Sequence, residues 1–242
     1  MLTPDDLPLL MLPGTLCDER AFAPVLDRLG IVAGSMRMAG ARSTADMARL
    51  ALAAAPERFS LLGFSLGAIV ALEVVAQAPE RIERLALLGC NARALSPEKA
   101  AARRATVPVA EALGTPSYID GVWEASTPAH RRADGQLREL LHAMARDTPW
   151  PAFIDQVEMA IDRVDSRPRL GRLSMPVLVA CGVEDRVCPP ELSREIADAV
   201  PGATLAVVEG AGHYLTLDQP DEMARLLRAW LTDPNPDSKE FS

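Results

Sequence analysis

The 242-residue chain lacks any long hydrophobic run. Apolar residues make up 49% of it, yet they never fill the roughly 18 consecutive uncharged positions that a transmembrane helix requires. Residues 1–8 include Asp5 and Asp6, where a secretion signal would carry positive charge. We therefore expect a cytoplasmic protein that does not insert into a membrane.

Paired cysteines and an excess of basic residues are also missing. The four cysteines have no CxxC spacing, which argues against a zinc site and a disulfide framework; they are Cys17, Cys90, Cys181 and Cys188. We expect reduced, mostly buried thiols and no bound metal. The formal net charge is −8, whereas nucleic-acid binding needs a basic surface to neutralise phosphates, so we exclude nucleic acid as a partner.

Short apolar segments alternate with helical patterns along most of the chain. The predicted strands are residues 7–12, 31–36, 59–62, 85–88, 177–180 and 205–208. The predicted helices are residues 21–29, 44–55, 68–78, 191–199 and 222–231. This βαβ alternation is typical of an α/β protein with a doubly wound, mainly parallel sheet of about six strands.

Residues 92–173 do not follow this alternation. Their helical patterns are broken by prolines and contain no strand pattern, so we predict a helical cap inserted into a core of residues 1–91 and 174–232. The aromatic residues of this cap either wall an apolar substrate pocket or pack its interior; they include Tyr118, Trp123, Trp150 and Phe153. Residues 233–242 are short and polar, which predicts a disordered tail.

The most informative motif is Gly63-Phe64-Ser65-Leu66-Gly67, between a predicted strand and an apolar helix. A serine between two glycines in this context is typical of a nucleophile elbow. The glycines let strand and helix approach closely, so that the strained serine presents its hydroxyl to a pocket. Ser65 is therefore the predicted catalytic nucleophile, and the alternative is a serine helix cap after a glycine turn.

A catalytic serine needs a base, and the chain has only three histidines. His130 and His142 fall within residues 92–173, where we expect surface or cap positions. His213 instead follows the last predicted strand, in a loop of small residues that can return over the sheet. His213 is therefore the predicted base.

The imidazole also needs an acid to orient it and to stabilise its protonated form. Asp185 lies just past the strand that precedes His213 in the chain, and the adjacent Glu184 is the alternative acid. Because the carboxyl ends of parallel strands share one edge of the sheet, we expect Ser65, Asp185 and His213 to converge.

Two backbone N–H groups should stabilise the oxyanion of an acyl-transfer reaction. One is the N–H of Leu66, directly after the nucleophile. The turn after the first strand supplies the second, for which we predict Thr15, with Leu16 as the alternative.

Together, several motifs resemble the α/β-hydrolase superfamily over almost the whole chain; they are Leu12-Pro13-Gly14-Thr15-Leu16, Gly63-Phe64-Ser65-Leu66-Gly67, Gly182-Val183-Glu184-Asp185 and Gly210-Ala211-Gly212-His213. The size and the segment Asp165-Ser166-Arg167-Pro168 are similar to small cofactor-free carboxylesterases, including the pimeloyl-ACP methyl ester esterase type. The chain departs from the family in two ways. Pro13 replaces the usual histidine of the oxyanion turn, and the leading β-hairpin is missing from the strand pattern.

The resemblance implies a serine hydrolase with an α/β-hydrolase fold and a Ser-His-Asp triad. His213, oriented by Asp185, takes the Ser65 proton; Ser65 attacks a carbonyl, the Leu66 and Thr15 N–H groups hold the oxyanion, and water cleaves the acyl-enzyme. The implied substrate is a small to medium apolar carboxylic ester. No metal or organic cofactor is implied.

Two alternatives stay open on the sequence alone. The same triad can act on another bond, as in a thioesterase, a C–C hydrolase, a perhydrolase or a lyase. The protein can also be a receptor-like ligand-binding protein with residual hydrolysis. An acyl-carrier protein is a further candidate partner, because Lys99, Arg103 and Arg104 offer cations to an acidic surface, although we favour a solvated helix face as the explanation of these residues.

Overall fold

One parallel sheet forms the centre of the protein, whose computed structural model describes residues 8–232. Its strand order is β2-β1-β3-β4-β5-β6, and every neighbouring pair is parallel. The strands are β1 (Leu9–Leu12), β2 (Gly34–Ser35), β3 (Phe59–Phe64), β4 (Ile82–Leu88), β5 (Val177–Gly182) and β6 (Thr204–Val208). The predicted six-stranded parallel sheet is confirmed.

Helices cover both faces of this sheet. The α-helices within residues 8–232 are α1 (Ala23–Leu29), α2 (Thr44–Ala54), α3 (Leu66–Gln77), α4 (Pro97–Arg104), α5 (Thr106–Leu113), α6 (Pro116–Ser126), α7 (Gly135–Asp147), α8 (Trp150–Asp162), α9 (Arg167–Leu170), α10 (Pro190–Ala199), α11 (Leu215–Asp218) and α12 (Pro220–Thr232). Helices α1 and α12 contact each other on one face, and α2, α3 and α10 pack on the other. The sheet is therefore doubly wound, as predicted.

The central strands are continuous apolar segments because both of their faces are covered. All residues of β3 are buried, and its side chains alternate between two hydrophobic cores. Leu62 and Phe64 enter the core beneath α1 and α12, whereas Phe59 and Leu61 enter the core beneath α2 and α3. Burial on both faces makes these strands visible in the sequence.

Some predicted boundaries were wrong. The second strand is only Gly34–Ser35, because this exposed edge strand pairs with β1 alone. Strand β3 continues to Phe64 rather than residue 62, because its pairing with β4 continues through Gly63 and Phe64. Helix α3 begins at Leu66, immediately after the serine, rather than at residue 68.

Between β4 and β5, the described chain forms helices α4 to α9 and no strand. We call this part of the chain, residues 97–170, the helical segment. The division into a core of residues 1–91 and 174–232 and a cap of residues 92–173 stays a prediction. The tail of residues 233–242, and a leading hairpin before Pro8, lie outside the described residues. Within residues 8–232, no helix has the length and apolarity needed to cross a membrane.

Candidate active site

Ser65 occupies a strained turn between β3 and α3. Its φ is 53° and its ψ is −113°, a conformation that residues other than glycine rarely adopt. A Cβ atom on Gly63 would lie 2.5 Å from the Ala68 Cα, and one on Gly67 would overlap the carbonyl group of Leu12. Only glycine fits at these two positions, so the segment has the strain and close packing that a nucleophile elbow requires.

The side chains of Ser65, His213 and Asp185 form one hydrogen-bonded chain. The Ser65 Oγ lies 2.9 Å from His213 Nε2, and His213 Nδ1 lies 2.7 Å from Asp185 Oδ2. Asp185 is buried, and its other oxygen accepts the backbone N–H groups of Val187 and Cys188. These bonds orient the carboxylate toward the imidazole, which leaves Nε2 to accept the serine proton.

The alternative residues considered from the sequence lie elsewhere. Glu184 Oε2 accepts the N–H of Ala129 at 2.9 Å, and no hydrogen bond joins it to His213 within residues 8–232. His142 Nε2 lies 2.9 Å from Asp120 Oδ1 in the helical segment, away from the serine. Of these acids and histidines, the structure brings only Asp185 and His213 together with Ser65.

The loop that carries His213 is held by a buried acid that sequence reasoning missed. Asp218 Oδ2 accepts the N–H of Gly212 at 2.9 Å, and its other oxygen pairs with Arg131 at 3.1 Å. Burial raises the pKa of Asp218 to about 6, and these two partners oppose that rise. The position of Asp218 in the sequence could have indicated that it is buried, because it ends a short apolar stretch rather than lying in a polar loop.

The turn after β1 lies beside the elbow and is braced from the helical segment. Leu16 has a φ of 57°, and its N–H donates to Gln156 Oε1 at 2.8 Å. Gln156 is buried on α8 and donates from Nε2 to the Met38 carbonyl at 3.1 Å. The Leu16 N–H is therefore already bonded, whereas no acceptor within residues 8–232 takes the N–H of Thr15.

Gln156 is a second residue that sequence reasoning missed. It lies on the buried face of α8 with Phe153 and Val157, at helical spacing. A polar side chain in an apolar stripe signals a specific hydrogen-bonding partner, because burying an unpaired amide is unfavourable. The partner, Leu16, is 140 residues away in the chain.

A cavity of about 320 Å³ opens at Ser65 and is lined by Thr15, Leu66 and residues of the helical segment. Tyr118 lines this cavity, whereas Phe153 and Trp123 are buried in the hydrophobic core. Of these three aromatic residues, one therefore walls the cavity and two pack the interior. The lining is also less apolar than expected, because it includes basic side chains.

One of these basic side chains is that of Arg103 on α4, which points into the cavity. Its Nη2 donates to Thr15 Oγ1 at 2.8 Å, its Nη1 donates to the Tyr118 hydroxyl, and its guanidinium lies 5.0 Å from the centre of the Tyr118 ring. The adjacent Arg104 is exposed and pairs with Glu158 at 3.3 Å. The two neighbours thus face different surroundings.

The four cysteines are free thiols, and all but Cys188 are buried, so the expected burial of most of the thiols is confirmed. Burial raises the pKa of Cys17 and of Cys90 to about 12. Within residues 8–232, no group of three or more His, Cys, Asp or Glu side chains is arranged to hold a metal ion.

A sequence profile of the alpha/beta hydrolase family matches residues 9–226 of the chain. The protein belongs to this family, which confirms the resemblance of its motifs. A pimeloyl-(acyl-carrier protein) methyl ester esterase from Neisseria meningitidis serogroup A is 27% identical over 173 residues, which cover 69% of this chain and 55% of that protein. The chain thus spans about half the length of this relative.

Solved structures of similar proteins share the fold. The thermophilic esterase from Thermogutta terrifontis superposes with a TM-score of 0.83 at 23% identity, over 93% of this chain and 89% of its own. The enol-lactonase from Burkholderia xenovorans LB400 gives a TM-score of 0.80 at 23% identity, over 94% of this chain and 92% of its own. At these identities, the two likenesses support the fold alone.

Proposed function

We propose that the protein hydrolyses carboxylic esters through an acyl-enzyme on Ser65. The observation that carries this proposal is the chain of hydrogen bonds from Asp185 through His213 to Ser65, with separations of 2.7 and 2.9 Å, at the mouth of a cavity. A base within hydrogen-bonding distance of the nucleophile, oriented by a third group, is the arrangement that activates a serine.

In the proposed reaction, His213 Nε2 takes the Ser65 proton as Oγ attacks the ester carbonyl. The N–H groups of Leu66 and Thr15 stabilise the oxyanion, and the N-terminus of α3 adds its positive dipole end. The imidazolium then donates its proton to the departing alcohol. Water enters, gives a proton to His213 and attacks the acyl-enzyme, which releases the acid and restores Ser65.

Two observations support an ester of a small molecule as the substrate. The relative from Neisseria meningitidis is named a methyl ester esterase, and the cavity of about 320 Å³ has room for a small to medium molecule. The same three side chains can also act on a thioester or a C–C bond, or support perhydrolysis or a lyase reaction. A receptor-like protein would keep the cavity with little turnover.

An acyl-carrier protein is the less favoured partner. The name of the relative includes a carrier protein. Of the three cations considered for such a contact, however, Arg103 is turned into the cavity and Arg104 pairs with Glu158, which leaves Lys99 exposed without a partner in the described chain.

The test is hydrolysis of p-nitrophenyl esters from acetate to decanoate by the wild type and by Ser65→Ala and His213→Ala. We expect both substitutions to lower kcat by about 10⁴-fold or more, because the triad acts as a unit. Intact mass should show an acyl adduct on the wild type and none on Ser65→Ala. His142→Ala is the matched control and should keep wild-type activity, because this histidine pairs with Asp120.

Absence of turnover and of an adduct with every ester would refute ester hydrolysis. Thioesters, C–C substrates and direct ligand binding would then be tested in its place. Turnover that persists in Ser65→Ala would place the chemistry on another residue.

A further inference from the structure

Three basic side chains line the cavity beside Ser65, and none of the described residues that line it is acidic. Lys99 and Arg103 come from α4, and Arg163 directly follows α8. The chain as a whole carries a net charge of −8, so this positive lining opposes the overall charge. A purely apolar substrate would leave the three cations without a negatively charged partner.

The described part of the chain supplies no counter-charge to these cations. None of the ion pairs formed within residues 8–232 includes Lys99, Arg103 or Arg163. The Nε atoms of Arg103 and Arg163 are both buried and have no hydrogen-bond partner in these residues. Buried donors without acceptors are unfavourable, and more so when they are charged.

The two arginines also repel each other. Burial lowers the pKa of Arg163, and the positive charge of Arg103 acts in the same direction. Like charges that are partly buried destabilise the protein, and a bound anion would offset their repulsion. The cavity at Ser65 is therefore lined by three cations that no ion pair within residues 8–232 neutralises.

Contacts within the protein explain the position of Arg103 in part, but they do not explain the position of Arg163. Arg103 holds Thr15 and Tyr118 through hydrogen bonds, so its position has a reason within the protein. Arg163 forms no side-chain hydrogen bond within residues 8–232, although its Nε is buried. A cation that lines a cavity and has no partner within the described residues is available to bind an anionic ligand.

We propose that the cavity binds esters that carry a carboxylate group, and that Arg163, Arg103 and Lys99 recognise this group. The proposal rests on ester hydrolysis at Ser65 and adds the class of substrate. A guanidinium offers paired N–H donors that match the two oxygens of a carboxylate. Such a group would bring a negative charge to cations that have no ion-pair partner within residues 8–232 and would offset their mutual repulsion.

The first test compares matched esters. In one pair, p-nitrophenyl hydrogen adipate is compared with p-nitrophenyl 6-methylheptanoate, in which an isopropyl group replaces the carboxylate. A second pair carries the charge on the alcohol side and compares 4-butyryloxybenzoate with 4-isopropylphenyl butyrate. We expect kcat/KM to favour the anionic member of at least one pair by about tenfold or more, and added salt to reduce this preference.

The second test removes the cations one at a time. Arg163→Met should lower the ratio of anionic to neutral kcat/KM by about tenfold or more, since the pair of N–H donors is lost. Its Tm should not fall, because the substitution removes an unpaired buried charge. Arg104→Gln is the matched control and should leave the ratio unchanged. Lys99→Met, at an exposed position, supplies a second variant whose folding is not at stake and whose ratio should also fall.

Binding to Ser65→Ala separates this proposal from the proposed reaction. Calorimetry should show that monomethyl adipate binds more tightly than dimethyl adipate, and that adding Arg163→Met removes the difference. If this difference is present while the wild type hydrolyses no ester, ester hydrolysis is wrong and the carboxylate site stands. Equal hydrolysis within both ester pairs, together with equal binding of the two adipates, would overturn the carboxylate site alone.

Discussion

On the sheet side of the cavity, the candidate catalytic groups are positioned by the backbone, whereas the helical segment contributes long side chains. Ser65 and Leu16 have positive φ values, and glycines at positions 63 and 67 allow the close packing around the elbow. Across the cavity, Arg103 projects from α4 and Arg163 lies directly after α8, and both helices belong to the helical segment. The proposed reaction and the proposed recognition of a carboxylate thus rest mainly on different parts of the molecule.

This contrast has a physical reason. A strained backbone packed between a buried strand and a helix cannot change one residue without moving its neighbours, so it keeps the Ser65 hydroxyl in place. Side chains on helices can change their length and charge while the sheet beneath them stays the same. We therefore expect substitutions on the sheet side to impair folding and chemistry, and substitutions of cavity-lining side chains in the helical segment to change selectivity.

The largest expected effect comes from filling the close approach at the elbow. In Gly67→Ala, the new Cβ would overlap the carbonyl of Leu12, so unfolding in urea should show a loss of about 4 kcal/mol or more, or no stable fold. Gly121→Ala in α6 is the matched control, because no heavy atom lies within 4 Å of its added Cβ. That variant should gain up to about 1 kcal/mol. Equal effects of the two substitutions would remove the distinction between the two regions.

An intermediate effect is expected from Asp218, a side chain that braces the sheet side. Its folded pKa of about 6 exceeds the ordinary value of 3.8, so the stability it contributes is complete below about pH 4 and is lost as the pH rises through 6. From pH 4 to 7, the wild type should lose at most about 3 kcal/mol of unfolding free energy relative to Asp218→Asn.

Urea unfolding at several pH values measures this difference. Asp198→Asn, at an exposed position, is the control and should show no such divergence from the wild type. A constant difference between the wild type and Asp218→Asn across the pH range would show that Asp218 does not titrate as stated.

The smallest effect is expected from the brace that crosses from the helical segment. Gln156→Leu keeps the volume but removes the acceptor of the Leu16 N–H, so the turn that carries Thr15 should loosen. Because the proposed oxyanion donor Thr15 lies in this turn, we expect kcat to fall about tenfold while KM changes little. Gln136→Leu at the exposed start of α7 is the control. A rise in KM with unchanged kcat would assign Gln156 to substrate binding instead.

Strands β3, β4 and β5 could be predicted from the sequence because burial on both faces requires continuous apolar residues. Strand β2 could not be bounded, since its two residues are exposed at the edge and carry no hydrophobic pattern. The end of β3 was missed for a related reason. Gly63 was interpreted as the start of a turn, but its missing Cβ serves the packing against α3 while its backbone continues the strand.

The candidate site likewise contains residues that could be predicted from the sequence and residues that could not. Ser65, Asp185 and His213 were predicted to converge because parallel strands end at one edge, and that topology follows from the alternation of strands and helices. We could assign no role to Gln156 or Arg163 from the sequence, because their surroundings depend on how α8 packs against distant parts of the chain. Helical periodicity shows which face of a helix is buried but not which distant residue that face contacts.

The sequence by itself determined the parallel α/β architecture, the family and the residues expected to react, because hydrophobic burial and glycine spacing are local properties of the chain. Only the tertiary structure decided that Gln156 on α8 braces the turn after β1 and that three basic side chains line the cavity at Ser65. Both features join residues far apart in the chain, and their contacts arise from the packing of whole elements.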